Sequence, residues 1–262
     1  MRKGKLLKIC TAVGLFALLM VGSAVHPIYT ARHFLSDGKF SEAETAINHA
    51  LENSLLSSDP TLYLERANAR RYLKNWKGAH EDLEQALKLQ QGNWLLYGFN
   101  SFAHKYLAHD IHLQQAYVYV GEAQVAKAIE ECDQAIKTQD SYLARSQRAL
   151  LNEDNKNFQN AEADYNQAVK LAYFQDEEVN SLTARAEFLL RQSKFDDAIK
   201  DMDKVIYKDK TAYSYDRRGV MKIAKGDQKS ALDDFNEALA LQPEYKVTLD
   251  HKAECQGKLG SK

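Results

Sequence analysis

The sequence predicts an all-α chain: about six antiparallel helix pairs stacked in series and closed by a C-terminal capping helix. Three observations carry that expectation. The first is a recurring trio of a leading alanine, a large apolar residue four positions on, and a small apolar residue three later. It reads Ala43-Ile47-Ala50, Ala79-Leu83-Ala86, Ala128-Cys132-Ala135, Ala161-Tyr165-Ala168, Ala198-Met202-Val205 and Ala231-Phe235-Ala238. Spacings of four and three place the trio on one face of a helix. The leading alanines are 36, 49, 33, 37 and 33 residues apart, and four of these gaps match a helical repeat of about 34 residues.

The second observation is a small residue twelve positions before each leading alanine: Ala31, Ala67, Ala116, Ala149, Ala186 and Gly219. The third is a large residue three positions before most of them, at Phe40, Trp76, Val125, Phe158 and Phe195. Small residues at fixed points on two consecutive helices let the axes approach to roughly 8–10 Å, and the large residue fills the groove of the next pair. Turn residues fall between the halves, as in Asp37-Gly38, Lys74-Asn75 and Gly226-Asp227. The final helix is expected over about Glu244 to Leu259, with Tyr245, Val247, Leu249 and Ala253 facing inward and Asp250, His251, Lys252 and Glu254 facing water.

Composition bounds the function. The 262 residues are 45% hydrophobic and 27% charged with 3 prolines, which excludes collagen-like, low-complexity and globally disordered chains. Lys plus Arg number 35 against 36 Asp plus Glu, so no strongly basic face for nucleic acid is expected. Cys10, Cys132 and Cys255 cannot build a disulfide framework, and no C-x-x-C pair offers a zinc or redox site.

The N-terminus reads as an address. Arg2, Lys3, Lys5 and Lys8 precede an uncharged apolar run from Ile9 to Val25, and the first 24 residues hold no acid. That order marks export, either as a cleaved signal ending near Gly22-Ser23-Ala24 or as a single-pass anchor spanning residues 9–25, the leading reading. The basic start keeps the N-terminus inside and sends the rest across the membrane. Three segments follow: residues 1–25 as signal or anchor, 26–245 as the helical array with an insertion at about 94–109, and 246–262 as capping helix and tail.

The repeat columns resemble the tetratricopeptide repeat family. The best unit runs from about Ala212 to Tyr245, where Tyr215, Gly219, Gly226-Asp227, Ala231, Phe235, Ala238 and Pro243 fall on the family's pattern. It departs at Arg218, where the family favours Leu, and at Lys222, where it favours Tyr. An arginine just before the small residue recurs at Arg66, Arg148, Arg185 and Arg218. The other five units lack the closing proline. The resemblance implies a right-handed superhelical solenoid whose concave groove holds a peptide, a helix or another subunit.

The register assigns Arg32, Asn68, Arg71, Tyr72, Tyr117, Tyr142, Glu187, Arg191, Tyr213 and Asp216 to the groove. Tyrosine with arginine is what protein interfaces enrich, because the ring adds apolar area at low entropic cost. The carboxylate clamp of chaperone-cofactor members is not matched: Asn68 fits one position, but Leu64, Asp110 and Gln114 occupy others.

The insertion, Trp94 to His109, is the most aromatic stretch of the chain. Its favoured reading is an extended first helix; the alternative is a protruding apolar patch for a partner or membrane. His104, His109 and His112 are expected at the surface, with no complete ligand set for a metal. Cys132 falls in a core column. Acidic runs such as Asp233-Asp234 and Asp176-Glu177-Glu178 read as solvated faces or loops.

No nucleophile elbow, phosphate-binding glycine loop or H-E-x-x-H motif is present. The expectation is therefore a protein without catalytic residues, cofactor or metal. It is an exported, membrane-tethered interaction scaffold binding a peptide or partner protein, and nucleic acid is not a partner. A soluble exported binder of peptides or small ligands, or an accessory subunit of an envelope enzyme, is the alternative.

Overall fold

A computed structural model describes residues 27–52, 57–92 and 101–260. Among the described residues all regular structure is helical. A first helix α1 covers 27–36. It is followed by α2 (Phe40–Leu51), α3 (Pro60–Tyr72), α4 (Trp76–Gly92), α5 (Ser101–Gly121) and α6 (Val125–Thr138). Next come α7 (Tyr142–Asp154), α8 (Phe158–Leu171), α9 (Gln175–Arg191), α10 (Phe195–Lys208), α11 (Ala212–Lys225), α12 (Gln228–Leu241) and α13 (Lys246–Gly260). The six expected pairs are α1/α2 through α11/α12, and α13 follows them.

The turn inside each pair has one construction. The residue five before each leading alanine takes a left-handed conformation: Gly38, Lys74, Ala123, Lys156, Ser193 and Gly226, with φ between 58° and 92°. The next amide then reaches back to the last turn of the helix, as in Asn75 N to Arg70 O (2.8 Å), Gln124 N to Tyr119 O (2.8 Å) and Lys194 N to Leu189 O (2.9 Å). This is the Schellman closure, which satisfies carbonyls that a helix end leaves without partners. Only two of the six positions are glycine, so four side chains bear the steric cost of the left-handed region. Other ends are closed by side chains: Asp59 accepts from Thr61 N (2.9 Å), Ser141 from Ala144 N (3.1 Å) and Asp227 from Ser230 N (3.1 Å).

The chain divides into two compact units, the first ending at Gln139 and the second beginning at Asp140. In each, the core is a series of small clusters rather than one centre. In the first, Ala31, Ile47, Ala50 and Leu62 form one cluster; Leu64, Ala67, Ala79, Leu83, Ala86, Ile111 and Val118 form the next. In the second, Ala149, Ala161, Tyr165, Leu182, Ala186, Phe188, Ala198, Met202 and Met221 are packed together. Ala231 and Phe235 pack with Cys255 of α13. The alanine columns are fully buried, as their spacing predicts. Gly219 is required rather than tolerated: a Cβ there would lie 2.6 Å from the Phe235 ring.

The capping helix is rotated from the expected register. Thr248 and Cys255 are fully buried, while Val247 and Leu249 are exposed. The reason lies opposite: Asp216 of α11 accepts hydrogen bonds from Thr248 Oγ1 (2.8 Å) and His251 Nδ1 (2.9 Å). A buried carboxylate requires donors, and that need outweighs burying two aliphatic side chains at roughly 25 cal/mol per Å².

Candidate functional site

Two sets of polar residues emerge from the helix pairs, one internal and one on the first-helix faces. The internal set explains the recurring arginine. Arg66, Arg148, Arg185 and Arg218 each grip an aspartate sixteen residues on, at Asp82, Asp164, Asp201 and Asp234, through two hydrogen bonds of 2.6–3.0 Å. The arginine stands on the first helix of a pair and the aspartate on the second. The remaining nitrogen of Arg66, Arg185 and Arg218 reaches back to the preceding pair, at Asn48 (2.7 Å), Asn166 (3.0 Å) and Asp203 (2.7 Å) respectively. Asp234 is therefore buried and doubly bonded, not part of the solvated face expected of Asp233-Asp234. The sixteen-residue spacing was visible in the sequence, but an acid beside leucines and phenylalanines reads as surface until its partner is placed.

The ten positions assigned to a groove all lie on the first helices of the pairs. In the first unit, Arg71 lies over the rings of Tyr72 (4.1 Å) and Tyr117 (5.3 Å), and Tyr72 stacks on Phe40 at 4.2 Å. Its terminal nitrogen donates to Asn68 Oδ1 at 3.0 Å. Four groove positions and Phe40 thus form one cluster. Tyr72 is half exposed, 50%. Among the described residues, Arg71 Nε and Gln114 Oε1 are buried without a hydrogen-bond partner. Gln114 stands one helical turn before Tyr117, on the same side of α5. Arg32 is engaged separately with Glu65 at 2.5 Å.

In the second unit, Glu187 is held by Arg217 through two bonds of 2.6 Å, and Arg191 binds Glu153 at 2.5 and 2.9 Å. Burial, then the carboxylates of Glu177 and Asp176, raise the Tyr142 phenol above the ordinary tyrosine range. Burial, then Glu187, does the same at Tyr213, which stays half exposed. Asp216 is the correction: it is 1% exposed beneath α13 and holds the cap rather than facing a groove.

The insertion divides. Residues 101–109 are the opening turns of the 21-residue helix α5, as the extended-helix reading expects; residues 93–100 lie outside the described residues. His109 is buried, its Nδ1 3.0 Å from Ala135 O, and His112 meets Glu131 at 2.8 Å, so neither is the free surface histidine expected. The His104 side chain is outside the described set. So is the cationic and apolar segment of residues 1–25. Among the described residues no helix is long and apolar enough to cross a membrane, and no group of three His, Cys, Asp or Glu side chains is placed to hold a metal ion.

Comparison with known proteins bears on the fold. Residues 144–174, the span of α7 and α8, match the tetratricopeptide repeat family. No curated protein sequence matches the chain. Among solved structures, PilW, described as a widely conserved type IV pilus biogenesis factor, is similar at 16% identity and a TM-score of 0.66, covering 87% of this chain and 97% of PilW. PilF of Pseudomonas aeruginosa is similar at 14% identity and a TM-score of 0.63, covering 90% and 99%. YrrB, described as a TPR protein with an unusual peptide-binding site, is similar at 17% identity and a TM-score of 0.54, covering 79% and 98%. At such identities the likeness is one of fold. Residues 144–174 thus carry a recognisable tetratricopeptide repeat, and the helix pairs around them follow the architecture that such proteins share.

Proposed function

We propose that this chain is a non-catalytic interaction scaffold, exported across a membrane and tethered to it by residues 9–25, that binds a peptide or a peptide-like segment of a partner protein. The observation that carries this is the Arg71 cluster. The Arg71 guanidinium lies over the rings of Tyr72 and Tyr117, and among the described residues a buried donor (Arg71 Nε) and a buried acceptor (Gln114 Oε1) have no hydrogen-bond partner. Leaving a buried polar group unpaired costs about 1–3 kcal/mol. An extended peptide carries a carbonyl and an amide per residue, which supply the missing acceptor and donor. The rings supply apolar area without losing much side-chain freedom.

The test is a peptide library selected against the full-length chain, with the recovered sequences titrated against wild type and against Arg71→Gln plus Tyr117→Ala. Loss of at least tenfold in affinity supports the site; unchanged affinity in a folded variant overturns it. The tether is tested by the mass of the chain recovered from membranes, since removal of about 24 residues ends that part of the reading.

A further inference from the structure

In the third pair the arginine of the internal clamp is missing, and the place where it would lie is open. The column residue is Gln115 instead of arginine, and the acid sixteen residues on is Glu131. Around them, between α4, α5 and α6, is a cavity of about 540 Å³. The corresponding space in the fifth pair, around Arg185 and Asp201, measures about 260 Å³. The acids differ in the same sense: the Glu131 side chain is 24% exposed, against 3–4% for Asp82, Asp164, Asp201 and Asp234.

The register identifies what the cavity fits. Glu84 occupies the column of Asn48, Asn166 and Asp203, the residues that receive the third nitrogen of the clamp arginines. Glu131 occupies the aspartate column. Both acceptors of a guanidinium are thus in place, each as a full carboxylate, on elements that elsewhere in this chain hold one. Gln115 does not substitute, because its amide donates to His80 Nδ1 (2.6 Å), leaving His80 Nε2 to donate to Glu122 (3.1 Å). His112 meets Glu131 at Oε2 (2.8 Å), and among the described residues nothing bonds Oε1. Leu83, Leu87 and Ile111 floor the cavity. The opposing charge is Lys127, drawn aside over the Tyr119 ring at 5.3 Å.

We propose that this cavity binds a guanidinium group, held by Glu131 and Glu84 as Asp201 and Asn166 hold Arg185. The site is independent of the Arg71 cluster and shares no residue with it. Planar bidentate pairing with carboxylate separates guanidinium from ammonium.

The experiment titrates full-length chain with agmatine and with a blocked arginine peptide, using citrulline and lysine as controls. Saturable binding of both guanidinium compounds, at least tenfold tighter than either control, is the expected result. Binding of the peptide but not agmatine assigns the group to a partner protein; comparable binding of both assigns it to a small molecule, and either supports the site. Glu131→Gln is expected to weaken binding at least tenfold. Gln115→Arg closes the clamp internally, which abolishes binding and raises Tm by about 2–4 °C. No saturable binding, equal binding of citrulline or lysine, or full binding by a folded Glu131→Gln variant overturns the proposal.

Discussion

Arg185 and Asp201, sixteen residues apart on the two helices of one pair, face each other through parallel hydrogen bonds of 2.7 and 2.8 Å, and the aspartate side chain is 4% exposed. The same pair recurs in three other repeats, so a polar clamp runs through an otherwise apolar array. A buried ion pair is poor evidence of net stabilisation, because desolvating both charges offsets much of their attraction. Breaking it is another matter. Arg185→Ala is expected to cost up to about 3–5 kcal/mol in chemical denaturation, since Asp201 is left nearly dry with Lys204, 3.6 Å away, as its remaining cation. The double change Arg185→Met with Asp201→Leu is expected to cost far less than the single one. Equal losses from the two would show that packing, not charge, governs the site.

The left-handed turns offer a stabilising change. Ala123 sits at φ 59°, where its Cβ crowds the following carbonyl. Ala123→Gly is expected to raise stability by about 0.5–1 kcal/mol, the relief of that crowding less the greater freedom glycine has in the unfolded chain. Within a helix, as at the buried Ala128, the same exchange should lose more than about 1 kcal/mol, because the methyl's burial is lost along with helix propensity. Thermal melts of the two variants would move in opposite directions.

Tyr165 gives a pH dependence of known sign. Burial is the main cause holding its phenol above the ordinary range, and the Glu153 carboxylate, to which the hydroxyl donates at 3.2 Å, adds to it. An acid whose folded pKa is raised contributes stability that is fully present below the unfolded value, about 10 for tyrosine, and is lost as pH rises towards the folded value. Between about pH 10 and 12 wild type should therefore lose stability more steeply than Tyr165→Phe, by up to about 1.4 kcal/mol per pH unit. Parallel slopes would mean the phenol is not held neutral by the fold.

The sequence by itself determined the repeat. Alanine columns at spacings of three, four and twelve allow one outcome, paired helices in close approach, because only a helix brings those positions to one face and only small side chains let two faces meet. The pairs, their order and the buried identity of Cys132 and Tyr165 were legible from that spacing alone. What the tertiary structure decided was the fate of the polar residues. Arg148 stood out in the sequence as a recurring arginine and Asp164 did not, yet it is the fold that buries the acid beneath that partner. Asp216 has the register of a groove residue, but the donors Thr248 and His251 arrive from a helix 32 and 35 residues on and turn it into a buried anchor, leaving Val247 and Leu249 outside. Apolar pattern is local, since one side chain's aversion to water needs no partner. A charge is stable in the interior only where another element delivers its counterpart, and that delivery is settled when the helices pack.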